Sequence, residues 1–133
     1  MAKFPIPGIA AEVLDRYFRA EGLPPDTPYK LLPMYREGVS RSREQVTMLA
    51  NFVEVYLARE GHGGLVGINL LTKIQFPTLA SLYGAMLAGV DFVLMGAGIP
   101  REIPAVLDAL AEHRPAALRL EVEGLPPGGA EYL

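Results

Sequence analysis

The sequence predicts an α/β fold organised around a strand–helix–strand unit, and three observations carry that expectation. Leu65 to Leu71 is an apolar run broken by one polar residue, Asn69. Val90 to Met95 is a second apolar run, with only Asp91 polar. Between them Leu79, Leu82, Tyr83, Met86 and Leu87 recur at helical spacing, with Pro77 suited to the first turn and Gly89 to the end. A βαβ unit places its strands in parallel with a right-handed crossover. Continuously apolar strands imply cover on both faces, so Leu94, in the more apolar strand, is expected to be buried. Ligands on such units gather at the C-terminal ends of the strands. Those ends carry Asn69, Thr72, Lys73 and Gln75, then Gly96, Ala97 and Gly98.

The other elements follow in order. Pro5 and Pro7 make residues 1–7 an extended arm. Ile9, Val13, Tyr17 and Ala20 share a helical face, and Gly22 is a stop. Four prolines between 22 and 42 predict an irregular connection. Ser42 and Gln45 form a capping-box pattern that opens a helix running to about Glu60, with Val46, Leu49, Ala50, Val53, Tyr56 and Leu57 as its buried stripe. Gly61, Gly63 and Gly64 lead into the first strand. A further helix begins near Pro104, buries Ile103, Val106, Leu107 and Leu110, and stops at Pro115. Ala117 to Glu123 alternates strictly, which predicts a strand with one wet face, separable from the two apolar strands. Residues 124–129 have turn chemistry, and 130–133 suit a short return strand. The chain thus divides into an N-terminal helix and proline-rich arm (1–42), an αβαβα segment (43–116) and a C-terminal β-arm (117–133).

Composition narrows the function classes. Half of the 133 residues are hydrophobic, enough for a packed core. Twelve basic against fifteen acidic side chains give a net charge of −3, which argues against nucleic-acid binding. The absence of cysteine removes disulfides, thiolate catalysis and cysteine-ligated metals. No apolar run reaches the roughly 18 residues of a membrane span, and the N-terminus lacks a signal-peptide core, so a cytoplasmic location is expected.

At N-L-L-T-K-I-Q (69–75) and M-G-A-G-I-P-R-E-I-P (95–104) the chain resembles the nitronate monooxygenase family, formerly the 2-nitropropane dioxygenases, which includes the FMN-dependent enoyl-ACP reductases. The likeness is specific over 64–108 and looser over N-F-V-E-V-Y-L-A-R-E-G-H (51–62). Family members are FMN-binding TIM barrels. The resemblance implies a partial TIM-barrel-like βαβ unit of two or three strands, flanked by N-terminal helices and the C-terminal β-arm. It implies FMN as cofactor. Asn69 would face the flavin or substrate, Lys73 and Gln75 would lie near the same mouth, and Gly96, Ala97 and Gly98 would admit the cofactor to the backbone. A complete barrel needs about 250 residues. The family's catalytic histidine and phosphate site have no counterpart here, so no catalytic residue is assigned. The expected function is that of a segment of an FMN-dependent oxidoreductase of the nitronate monooxygenase type, inactive alone. The alternative is a non-enzymatic α/β assembly module without cofactor. Either way a homo-oligomer or a complementary barrel subunit is the expected partner, because a sheet cut from a barrel has open edges and an uncovered face.

Each candidate also has a plainer reading. A buried Asn69 amide needs partners, which neighbouring backbone can supply as well as a ligand. Lys73 is equally an exposed lysine, and a lone G-A-G also makes strand-to-helix turns. His113 suits a helix C-terminus, and His62 lies at the end of the unit away from chemistry. Neither histidine stands at metal-ligand spacing from a second ligand, so no metal site is expected. Glu54 with Glu60, and Asp108 with Glu112, read as solvated helix faces, and Tyr17, Tyr29, Tyr35 and Tyr56 as packing residues.

Overall fold

A computed structural model describes residues 2–35, 40–122, 124, 126 and 129–133. The elements run α1 (Ile9–Tyr17), α2 (Arg41–Ala58), β1 (Gly67–Leu71), α3 (Thr78–Leu87), β2 (Phe92–Gly96), α4 (Ile103–Ala111), β3 (Arg119–Leu120) and β4 (Glu131–Tyr132). β1 and β2 are parallel, in register from Gly67 opposite Phe92 to Leu71 opposite Gly96. β3 and β4 form a separate antiparallel pair. The architecture is mixed α/β, and the described residues close no barrel.

Local chemistry sets the boundaries of the central unit. Pro77 stands at the N-cap of α3, where its missing N–H matters least, and the Thr78 hydroxyl donates to the Ile74 carbonyl at 2.9 Å. Gly89 follows the α3 C-cap at φ 80°, the left-handed conformation that ends many helices. Glu102 caps α4 and Pro104 lies in its first turn. β1 is held at its start by Asp91, whose carboxylate accepts the Val66 N–H and the Arg59 guanidinium, each at 2.8 Å.

Two apolar clusters make the core. Leu82, Ile103, Val106 and Leu118 meet the inner sheet face of Ile68, Leu70, Val93 and Met95. Phe4, Leu49 and Phe52 form the second cluster, where the N-terminal arm and α1 lie on α2. The Phe4 and Phe52 rings meet edge to face at 5.0 Å, so the arm is a packed element and not a loose leader to α1.

The stripe on α2 is rotated from the one expected. Leu49, Phe52 and Val55 are its buried residues, whereas Ala50 and Leu57 are exposed. The cause is that α2 serves two neighbours, the Phe4 arm and α3, and its buried surface follows both. Its N-cap is Ser40, not Ser42, so Gln45 falls outside the capping-box position, and the Ser40 and Ser42 hydroxyls bond each other at 3.1 Å. α3 turns small residues toward α2: Ala80, Ser81, Gly84 and Ala85 are all buried, and Asn51 donates to the Ser81 hydroxyl at 3.2 Å.

The sheet departs from the expectation of cover on both faces. Among the described residues its helices lie on one side only, and along β1 and as far as Met95 in β2 half-buried and exposed positions alternate. Asn69 and Leu71 on β1, with Phe92 and Leu94 on β2, face outward, and Phe92 and Leu94 are each 57% exposed. The described part of the proline-rich connection does not cover them, and Tyr29, Leu31 and Met34 on it are more than four-fifths exposed.

The C-terminal arm keeps Leu118 and Leu120 buried, with Arg119 and Glu121 outward. Its strand is two residues long, not seven, because side chains supply much of its pairing in place of a neighbouring strand. Glu123, at the end of the expected strand, lies outside the described residues.

Candidate functional site

The C-terminal ends of β1 and β2 remain joined beyond the ladder. The Thr72 N–H and hydroxyl both donate to the Gly96 carbonyl, at 2.8 and 2.9 Å. This crossing brings Thr72 against Gly98, where a Cβ would stand 3.0 Å from the Thr72 Cβ. Gly98 therefore has a packing reason to lack a side chain. Gly96 is under less pressure, because its Cβ would meet a Leu71 methyl at 3.4 Å. Between the two glycines Ala97 holds φ 59°, a left-handed conformation uncommon for a residue with a side chain. Such local strain concentrates where backbone geometry serves a ligand or a switch.

Gln75 bridges the strand ends to the C-terminal arm. Its Nε2 donates to the Arg119 carbonyl at 3.1 Å, and its Oε1 accepts the Glu121 N–H at 3.0 Å. The Glu102 carboxylate accepts the Arg119 N–H at 3.0 Å. Under this arm lies a cavity of about 790 Å³, whose lining includes Thr72, Gln75, Met95, Arg101, Glu102 and Arg119. A second cavity, of about 510 Å³, shares Gln75 and is lined also by Tyr35, Arg43, Thr47, Lys73 and Phe76.

The structure therefore divides the residues that the sequence grouped. Lys73 is exposed at the second cavity. Gln75 touches both cavities. Gly96, Ala97 and Gly98 lie between Met95 and Ile99, which line the first. Asn69 lines neither. It sits on the open face of the sheet opposite Leu94, exposed, so the desolvation penalty expected of a buried amide does not arise.

Both histidines have structural work. His62 Nδ1 accepts the Gly64 N–H at 2.9 Å, so in that tautomer Nε2 carries the proton that it shares with the Ala58 carbonyl. The ring thereby closes the end of α2. His113, at φ 55° just after α4, bonds the Tyr83 hydroxyl through Nδ1 at 2.9 Å. Among the described residues no cluster of His, Asp and Glu could hold a metal ion, and no helix is long and apolar enough to cross a membrane.

Arg43, Arg101, Glu102 and Arg119 were not among the expected site residues, and Tyr35, expected only to pack, also lines the second cavity. One signal for Arg43 was available: it is a cation in the first turn of a helix, where the dipole favours acids. Arg101 and Glu102 directly follow the glycine loop. Arg119 was hidden, because its place depends on the Gln75 bridge between distant parts of the chain. Chemically, with the Gln75 amide and the Thr72 hydroxyl already bonded within the chain, the strand ends offer backbone and the cations Lys73, Arg101 and Arg119, a set suited to holding an anionic ligand. No protein-family model, curated protein or solved structure matches this chain.

Proposed function

We propose that this chain supplies one wall of an FMN-dependent oxidoreductase of the nitronate monooxygenase type, and that it is inactive until that wall is completed by another polypeptide surface. The observation that carries this reading is the bare outer face of the parallel β1–β2 pair. Phe92, Leu94 and Leu71 are open there, with Asn69 among them, on a sheet whose other face packs against Leu82, Ile103, Val106 and Leu118. In a barrel that face points inward, against the remaining strands.

The residues present fit a partial flavin wall unequally. Asn69, Ala97 and Gly98 are exposed, although Gly98 is packed on one side by Thr72, so they can meet a flat ring or its edge. Gln75 is already bonded at both ends of its amide, so its role here is to hold the arm. Bound FMN would supply the redox step, taking an electron pair from a nitronate or passing a hydride to an enoyl thioester. The chain's own contribution is positional: Asn69 as an amide on the inner face, and the Ala97–Gly98 backbone at the strand end.

FMN titration of the purified chain, followed by flavin fluorescence, tests this. Weak saturable binding without nitronate turnover is expected. Absence of any saturable signal would remove the flavin assignment, and stoichiometric flavin surviving gel filtration would remove the incompleteness.

The second reading, an assembly module without cofactor, is favoured by the same bare face together with the outer edges of the two-stranded sheet, which are unpaired among the described residues. It predicts self-association with no flavin response. The apolar character of Phe92 and Leu94 suits an obligate interface in either reading.

A further inference from the structure

We propose that the smaller cavity is a binding site for a phosphate-type oxyanion, held by Arg43 and Lys73. The site differs from the flavin wall, since it needs no flavin and lies against α2, not on the open sheet face. Among the described residues two cations and no carboxylate line it, in a chain of net charge −3. Among the described residues neither Arg43 nor Lys73 has a carboxylate within ion-pair distance. Its volume, about 510 Å³, is within the range of small-molecule sites.

Arg43 is in an unfavourable position without a ligand. It stands in the first turn of α2, where the helix dipole opposes positive charge. Its Nε is removed from solvent and has no hydrogen-bond partner. Buried donors are paired in nearly all proteins, so this orphan leaves the guanidinium under-satisfied, and because Nε is closed to solvent, contact with a ligand falls to the terminal guanidinium nitrogens. An oxyanion would supply acceptors for the guanidinium, relieve the dipole and neutralise Lys73 at once.

The surrounding residues orient the arginine and limit the ligand. The guanidinium carbon lies 4.7 Å from the Tyr35 ring centroid. Phe76 stacks on the same ring at 6.3 Å with an interplanar angle of 18°. The Tyr35 hydroxyl is hydrogen-bonded to the Thr47 hydroxyl, which fixes the ring from α2. Tyr35 is thus engaged by Arg43 and Phe76 together, and a 6.3 Å ring separation leaves no room for a third ring between them. The aromatic residues hold the cation and do not recruit a base or flavin ring. What remains is recognition of the anion itself: bidentate by the arginine fork, and as a point charge by Lys73.

The test uses inorganic phosphate and the whole chain, without flavin. Phosphate binding is measured by calorimetry against chloride at equal ionic strength. Saturable binding in roughly the millimolar range is expected. Lys73→Gln should weaken it about fivefold or more with no loss of thermal stability, because Lys73 is exposed. Arg43→Lys keeps the charge but loses the fork, and should weaken it comparably. Equal heats in phosphate and chloride, or wild-type affinity in a folded Lys73→Gln chain, would overturn the proposal. If Arg43→Lys unfolds, the Lys73→Gln result decides alone. Titration of the same variant with riboflavin, which carries no phosphate, separates the two sites, since loss of phosphate binding with an unchanged riboflavin response is the expected pattern.

Discussion

Gly84 of α3 lies against the backbone of Met48 in α2. A Cβ on Gly84 would stand 2.8 Å from the Met48 carbonyl carbon and would overlap its oxygen. The two helices therefore approach as closely as they do because residue 84 has no side chain. The obstacle is backbone, which cannot rotate away as a flexible side chain can.

Gly84→Ala should accordingly destabilise the fold, although alanine is the better helix former. Overpacking typically costs about 1–3 kcal/mol, more than the roughly 1 kcal/mol that alanine gains in helix propensity. Chemical denaturation of both chains measures the difference. Equal or higher stability in Gly84→Ala would mean that α2 and α3 are not held at this distance.

The pH dependence of stability should follow Asp91. The Val66 N–H holds the Asp91 carboxyl below its ordinary value, and Arg59 adds to the effect. A group whose folded pKa is depressed contributes stability that is present above its unfolded pKa, near 3.8, and is lost as pH falls through the folded value. Wild-type stability should therefore fall more steeply than that of Asp91→Asn as the pH drops below 3.8. Glu44 runs the other way. Burial raises its pKa above 4.5, so its contribution favours the fold at low pH and is lost as pH rises through the raised value. Parallel melting curves of wild type and Asp91→Asn across this range would remove Asp91 from the account.

Gln75→Ala should loosen the C-terminal arm and spare the core. Two hydrogen bonds to the arm's backbone disappear, and water can replace part of each, so a loss of about 1 kcal/mol is expected. Hydrogen exchange supplies the specific readout. The Glu121 amide should exchange faster, while the β1–β2 ladder stays protected. Unchanged protection at Glu121 would contradict the bridge.

Asn69→Ala should leave stability within about 0.5 kcal/mol of wild type, because Asn69 is exposed on the open sheet face. A loss clearly above 2 kcal/mol, read from chemical denaturation, would reveal a structural amide instead.

The periodicity of β1, α3, β2 and α4 made the central unit legible, because runs such as Phe92 to Met95 and spacings such as Ile103, Val106 and Leu110 report burial through local pattern. Whether a second face is covered is not local information. The same run of apolar residues fits a sheet packed on both sides and one with an open side, so Leu94 and Asn69 were expected inside and lie outside. The stripe of α2 was misplaced for a related reason. Phe4 lies 45 residues before Leu49 in sequence, and nothing in the helix announces that the arm returns to it. At the candidate site, Lys73, Gln75 and the Gly96–Gly98 loop were visible from their place after the strands. Arg43 and Arg119 come from distant segments, and only the tertiary fold brings them beside Gln75.

The most direct test of the central claim is sedimentation equilibrium of the wild-type chain and Leu94→Asp at low micromolar concentration. On the proposed reading a second copy of the chain completes the bare face of β1–β2, so wild type should sediment as more than a 14.4 kDa monomer. Leu94 is open in the single chain, so Leu94→Asp should remain folded and shift toward the monomer by placing a charge within the interface. A wild-type chain that is a folded monomer of 14.4 kDa at all concentrations would contradict the account.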